Sequence, residues 1–129
     1  MSEGDAAIRV LLVDDHAVVR RGLRGFLELL PDIRVVGEAG TGEEAVDAVD
    51  RTAPDVVLMD LVMPGAGGVE ATAAIRRAHP SVEVVALTSF ADGATVTAAL
   101  EAGAAGYLMK DAEADEVADA VRSAHAGDA

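Results

Sequence analysis

The sequence contains no cysteine and no long apolar run. The absence of cysteine excludes disulfide bonds, thiol nucleophiles and thiolate metal sites. No apolar segment approaches the roughly 18 residues that a membrane-spanning helix needs. The first residues, MSEGDAA, are acidic and lack the basic and then apolar order of a secretory signal, so we expect a cytoplasmic protein.

Positive charge is also scarce. Ten basic residues stand against 23 acidic ones, which gives a formal net charge of −13. We therefore do not expect this domain to bind nucleic acid or an anionic membrane directly, because both require a basic surface. Lys110 is the only lysine beside nine arginines, which suggests that this position needs an ammonium group in particular.

The length and composition are those of one domain. Its 129 residues, about half of them hydrophobic, suffice to bury a core. We expect one domain over residues 1–129, with a folded core at about 8–126 and flexible ends at 1–6 and 127–129. The last residues, AHAGDA, could begin a linker to a further domain.

Five short apolar segments predict β-strands. Most are continuously apolar, which is typical of strands covered on both faces. Stretches of helical periodicity lie between them, such as Ala17–Leu30, which Pro31 ends, and a segment that opens with Thr41 and Glu44 in capping-box spacing. This alternation predicts an α/β domain with a parallel sheet and helices on both faces. The predicted strands are Ile8–Val13, Ile33–Ala39, Val56–Met59, Val82–Leu87 and Ala105–Met109.

Four of these five strands deliver polar residues to their carboxyl ends. Ligands of such sheets bind outside the carboxyl ends of the strands, so these groups are expected to meet at one edge. The residues are Asp14 and Asp15 after the first strand, Asp60 after the third, Thr88 and Ser89 after the fourth, and Lys110 after the fifth.

These side chains suit phosphoryl chemistry. Adjacent carboxylates such as Asp14 and Asp15 repel each other unless a cation pairs with them, and Mg²⁺ prefers oxygen ligands. With a metal bound, Asp60 could attack phosphorus and form an aspartyl phosphate. A hydroxyl and the ammonium group of Lys110 would then stabilise the phosphoryl oxygens. The pattern predicts a metal-dependent phosphoacceptor site.

Four motifs, LLVDDH, VVLMDLVMPG, ALTSF and GYLMKD, resemble those of the receiver domain of bacterial two-component response regulators, in that family's order and over nearly the whole chain. VDDHAVVRRGL and GYLMKD look most like the branch that precedes a LuxR-type (NarL/FixJ-like) helix-turn-helix domain. The resemblance implies a flavodoxin-like sheet of order 2-1-3-4-5 with five helices. It also implies a histidine kinase as partner, transcriptional control through a DNA-binding domain, and homodimer formation on phosphorylation.

The resemblance assigns the phosphoacceptor and the metal ligands. Asp60 would accept the phosphoryl group from a histidine kinase. Asp15 would bind Mg²⁺ directly and Asp14 largely through water, and Asp60 and the backbone carbonyl of Val62 would be further ligands.

Three other residues would sense the phosphoryl group. Thr88 would bond it and Lys110 would pair with it, while Tyr107, expected to pack at its strand end, would swing inward when Thr88 moves. The surface of the fourth helix, fifth strand and fifth helix would then change. The family's cis peptide would follow Lys110, but residue 111 is aspartate rather than the commoner proline. A cis bond without proline costs about 2.5–4 kcal/mol, so that feature stays open.

The sequence departs from the commoner family pattern at two places. Val62 is apolar where a polar or basic residue is frequent, and Gly67 stands where an acidic or polar residue often precedes Gly68. Because neither Val62 nor Phe90 can orient a water at the acyl phosphate, we expect slow self-dephosphorylation. The three histidines lack metal-ligand spacing, and His16 is not expected to touch the site.

Other functions compete with a receiver that controls a DNA-binding output. A stand-alone receiver could regulate a protein partner. A phosphatase with an aspartyl nucleophile usually has a second acid two residues on, where this chain has Val62. A flavin-binding module would need a phosphate loop after the first strand, where DDHAVV would repel phosphate. We expect no enzyme activity beyond the chain's own phosphotransfer and dephosphorylation.

Overall fold

The structure is a computed structural model that describes residues 7–63, 67–89 and 93–127. The expected flexible ends at 1–6 and 128–129, and Phe90, lie outside these described residues. The strands are Ile8–Val13 (β1), Ile33–Ala39 (β2), Val56–Asp60 (β3), Glu83–Thr88 (β4) and Gly106–Met109 (β5). The helices are Ala17–Leu27 (α1), Gly42–Thr52 (α2), Gly68–Ala78 (α3), Gly93–Glu101 (α4) and Ala114–Ala126 (α5).

The five strands form one parallel sheet in the order β2-β1-β3-β4-β5. This confirms the predicted α/β flavodoxin-like fold. Each predicted strand agrees with the structure to within one residue at either end. The small shifts matter at two strands, since β3 reaches Asp60 and β4 reaches Thr88 as their last residues.

Successive side chains of the strands enter cores on opposite faces of the sheet. On one face, α1 and α5 pack over a large aliphatic core that contains Val10, Leu12 and Leu58. On the other face, α2 and α3 cover Leu11, Val13 and their neighbours. A smaller cluster beside them joins α4 to β4 and contains Leu61, Ala86, Ala99 and Ala104.

The helix ends follow local signals. Thr41 caps α2, and its Oγ1 accepts a hydrogen bond of 3.1 Å from the Glu44 backbone N–H. The Glu44 carboxylate reaches back one residue further than in a capping box, to the Gly40 N–H at 2.9 Å. Helix α1 ends at Leu27, earlier than predicted, and a turn fills the residues before Pro31. Among the described residues, no helix combines the length and hydropathy needed to span a membrane.

Candidate functional site

The carboxyl ends of four strands bring buried polar side chains to one edge of the sheet. Asp14 follows β1, Asp60 and Thr88 end β3 and β4, and Lys110 follows β5. Asp14 and Asp60 are each 1% exposed and Thr88 is 2% exposed. The backbone N–H of Lys110 donates to the Thr88 carbonyl at 2.8 Å, which holds the ends of β4 and β5 together. The grouping expected from the sequence is therefore present.

Lys110 is the positive centre of this group. Its Nζ donates to Asp60 Oδ2 at 2.9 Å and lies 2.9 Å from Asp14 Oδ2. Nζ is close enough to Asp14 Oδ2 for an ion pair, but the two atoms do not form a hydrogen bond. The buried Asp14 Oδ2 therefore has no hydrogen-bond partner among the described residues. Two buried carboxylates share one ammonium group, which leaves the trio with a net negative charge. A site of this kind favours an additional cation.

The pKa values of the buried pair reflect the same imbalance. Burial raises the pKa of Asp60 above its ordinary value, and the charge of Asp14 acts in the same direction. Hydrogen bonds from Lys110 and from the Val62 N–H oppose the rise only in part. Burial disfavours the charged form of Lys110, but its ion-pair contact with Asp14 and its hydrogen bond to Asp60 outweigh that effect and raise its pKa. The ammonium group therefore stays charged at neutral pH.

Asp15 and His16 complete the acidic end of the site. Ligand atoms of Asp14, Asp15, His16 and Asp60 all lie within 4.8 Å of one another. The Nδ1 of His16 is 3.0 Å from Asp14 Oδ1 and 3.1 Å from Asp15 Oδ1. The expectation that His16 would not touch the site is wrong. Its position beside the two acids was the available signal, and the beginning of α1 turns the ring back toward them.

The segment between β3 and α3 follows the phosphoacceptor candidate. The Val62 backbone N–H donates to Asp60 Oδ1 at 3.1 Å, while the Val62 side chain is 62% exposed. At Gly68, the first residue of α3, a Cβ atom would lie only 2.2 Å from the Asp60 carbonyl oxygen. Glycine thus allows α3 to begin against the end of β3. The sequence singled out Gly68 without revealing this contact. Phe90, expected to flank the site with Val62, lies outside the described residues.

Arg20, which no motif in the sequence singled out, supports the site from α1. Its guanidinium group donates to the backbone carbonyl of Asp14 and to Glu38 Oε1, the latter at 3.0 Å. These bonds fix the segment after β1 against the end of β2. No sequence motif signals this role, because it depends on how α1 lies over β2.

Tyr107 lies on β5 with 48% of its surface exposed, so the expectation that it packs at the strand end is wrong. It borders a small cavity of about 130 Å³ between β5 and α5, which Val85, Ala120 and Ala124 also line. The exposed ring leaves an inward movement available, which stays a prediction. No peptide bond within the described ranges is cis, so the bond between Lys110 and Asp111 is trans.

Comparisons with known proteins all indicate one protein family. The pattern of the response regulator receiver domain matches residues 10–122. The transcriptional regulatory protein LiaR of Bacillus subtilis is 51% identical over 121 residues, which cover 94% of this chain and 57% of LiaR. The response regulator UvrY of Escherichia coli is 49% identical over 93% of this chain and 55% of its own length. The chain thus spans little more than half of these relatives.

Solved structures agree. The signal receiver domain of the response regulator NarL from Mycobacterium tuberculosis superposes with a TM-score of 0.90 at 36% identity, covering 94% of this chain and 98% of that domain. A LuxR-family response regulator from Aurantimonas gives a TM-score of 0.88 at 40% identity, with 94% and 86% coverage. Both are similar in fold over nearly the whole of this chain.

Proposed function

The chain belongs to the response regulator receiver domain family, and we propose that Asp60 is its phosphoacceptor, supplied by a histidine kinase. One observation carries this proposal. Asp60 is almost completely buried and lies 2.9 Å from the ammonium group that also faces Asp14. A surface aspartate that merely ends a strand would not need this arrangement.

Receiver domains bind Mg²⁺ at an acidic cluster, and the residues here fit that ion. The buried Asp14 Oδ2 has an ion-pair contact but no hydrogen bond, and burial together with the charge of Asp14 raises the pKa of Asp60, so one ammonium group does not fully compensate the two buried carboxylates. We propose that Asp15 binds the metal directly, Asp14 largely through water, and Asp60 and the Val62 carbonyl directly. When bound, Mg²⁺ would neutralise charge that develops on the phosphoryl oxygens.

The transfer itself is a displacement at phosphorus. A carboxylate oxygen of Asp60 forms the new bond to phosphorus while the bond to the imidazole nitrogen of the phosphorylated kinase histidine breaks, and that nitrogen keeps the electron pair. Lys110 then pairs with the phosphoryl oxygens, and the hydroxyl of Thr88 bonds one of them. The phosphatase alternative lacks support, because the position two residues after Asp60 holds the apolar Val62.

The proposed consequence is a change of the surface formed by α4, β5 and α5. Thr88 ends the strand that precedes α4, so its movement toward the phosphoryl group would free space for Tyr107 and shift α4. LiaR is named a transcriptional regulatory protein and UvrY a response regulator. We propose that this receiver likewise controls transcription through a DNA-binding domain on its own chain or on a partner, and that phosphorylation favours a homodimer.

The phosphoacceptor assignment is tested by intact-mass measurement after incubation with acetyl phosphate and Mg²⁺. We expect one added phosphoryl group on the unmodified chain and none on Asp60→Asn. Asp115→Asn, an exposed change on α5, serves as the matched control and should be labelled fully. Undiminished labelling of Asp60→Asn would overturn the assignment.

A further inference from the structure

His16 occupies a fixed place at the acidic end of the site. It is the N-cap residue of α1, with extended backbone angles (φ −100°, ψ 108°). Its backbone N–H donates to Asp14 Oδ1 at 2.8 Å. The same carboxylate oxygen is 3.0 Å from the ring Nδ1, so backbone and ring are both directed at Asp14. The position of the ring follows from how α1 begins.

The ring nitrogen belongs to the set of possible metal ligands. One ring nitrogen of His16 and carboxylate oxygens of Asp14, Asp15 and Asp60 all lie within 4.8 Å of one another, and Nδ1 is the nitrogen that faces Asp14 and Asp15. Without an ion, the Nδ1–H of His16 faces carboxylate oxygens of Asp14 and Asp15 at 3.0 and 3.1 Å and donates to them. An ion held by the carboxylates would take the place of this hydrogen, and the neutral ring would then carry its proton on Nε2, since the side chain is 63% exposed.

A nitrogen donor alters which ions a site prefers. Mg²⁺ takes oxygen ligands almost exclusively, whereas imidazole is a good ligand for Co²⁺, Ni²⁺ and Zn²⁺. Three carboxylates with one imidazole therefore form a mixed donor set, which binds the second group of ions more tightly than carboxylates alone.

We propose that His16 is an additional metal ligand that sets the cation preference of this site, so that transition ions which accept nitrogen bind more tightly than Mg²⁺. The inference rests on the metal site of the proposed function, since it uses the same carboxylates. It adds a residue and a specificity to that site. Removing the ring should weaken Co²⁺ binding and leave Mg²⁺ binding nearly unchanged.

The test is calorimetric titration of the chain with Co²⁺ and, separately, with Mg²⁺ at one fixed pH, together with the visible absorption of bound Co²⁺. We expect His16→Ala and His16→Asn to lower Co²⁺ affinity by about tenfold or more, a usual loss when a group that supports a metal site is removed. Asn is a favoured N-cap residue and keeps the beginning of α1 intact. The Co²⁺ absorption bands should shift in both variants.

Two control variants separate this site from other histidines. His79 Nε2 is 2.6 Å from Asp50 Oδ1 and could contribute weak Co²⁺ binding elsewhere, so His79→Ala defines that background. His125→Ala removes an exposed histidine in the last turn of α5. Both controls should keep the affinity and the spectrum of the unmodified chain at the acidic site.

The outcomes distinguish the inference from the proposed function. Unchanged Co²⁺ affinity and spectrum in His16→Ala, with Mg²⁺ still bound, would overturn the inference alone. Equal losses for Mg²⁺ and Co²⁺ would also overturn it, because they would show a structural effect without ion preference. Failure of the unmodified chain to bind Mg²⁺ would overturn the metal site of the proposed function itself.

Discussion

Helices α5 and α4 lie beside neighbouring strands, but they are held by different amounts of apolar packing. Helix α5 buries Val117, Ala118, Val121 and Ala124 in the large core that it shares with α1. Helix α4 buries Ala99, and its larger side chain Leu100 is 44% exposed. Because burial of aliphatic side chains is the main stabilising term, α4 should move at a lower free-energy cost than α5.

A polar contact of α5 points the same way. Arg122 of α5 binds both carboxylate oxygens of Asp32, at 2.7 and 3.1 Å, and so ties the helix to the segment that enters β2.

Near the end of α4, Gly103 adopts a positive φ of 114° and lies under the side chain of Arg76. That contact is a close backbone fit that only glycine makes without strain.

The largest contrast is expected from truncating one leucine on each side. Leu27, the last residue of α1, is fully buried in the core that α1 shares with α5, and Leu27→Ala should lower the free energy of unfolding by about 2–5 kcal/mol. Leu100→Ala on α4 should cost less than about 1 kcal/mol, as is usual for exposed positions. Urea unfolding followed by circular dichroism measures both. Equal losses would show that α4 is packed as firmly as the α1 and α5 face.

A smaller effect is expected where α4 ends. In Gly103→Ala the new Cβ would lie 2.9 Å from Arg76 Cγ on a backbone of positive φ, so we expect a loss of about 1–3 kcal/mol. Gly93→Ala is the matched control, because a Cβ there meets nothing within 4 Å and alanine favours helix formation. Thermal unfolding should therefore separate the two variants. A Gly103→Ala protein as stable as Gly93→Ala would contradict the close fit.

The smallest effect concerns pH on the α5 side. The hydrogen bond from Arg122 lowers the pKa of Asp32 below its ordinary value. The ionised pair therefore stabilises the fold fully at a pH above the pKa that Asp32 has in the unfolded chain. This stabilisation is lost as the pH falls through the lower pKa that Asp32 has in the folded chain. Since both side chains are partly exposed, we expect less than about 1 kcal/mol.

The comparison variant for this pH effect is Asp32→Asn. Its deficit in unfolding free energy should be constant near neutral pH and should disappear in acid. A deficit that grows on acidification would have the wrong sign for a carboxylate whose pKa is lowered by folding.

Much of the fold could be predicted because its signals are local. Continuous apolar runs marked the strands, and Thr41 with Glu44 marked the beginning of α2. The end of α1 was placed three residues too late, since the apolar period continues to Leu30 although the backbone already turns after Leu27. Periodicity alone does not distinguish a last helical turn from a turn that follows it.

The central site residues could be predicted because strand ends converge whatever lies between them. Asp14, Asp60, Thr88 and Lys110 needed only the order of the sheet. The supporting contacts of Arg20 and His16, and the inner contact of Gly68, depend on how helices begin and lie over the strands. The exposure of Tyr107 depends in the same way on the packing around β5. Such details follow from three-dimensional packing, so a linear pattern does not contain them.

The central claim is that a phosphoryl group on Asp60 acts through the loosely packed α4 and its neighbours. Hydrogen exchange with and without beryllofluoride and Mg²⁺ tests it most directly, with Asp60→Asn as the control that should show no change. We expect the largest changes in α4 and around Tyr107, and little change in α1. Changes confined to the residues around Asp60, or equally large in α1, would contradict the claim.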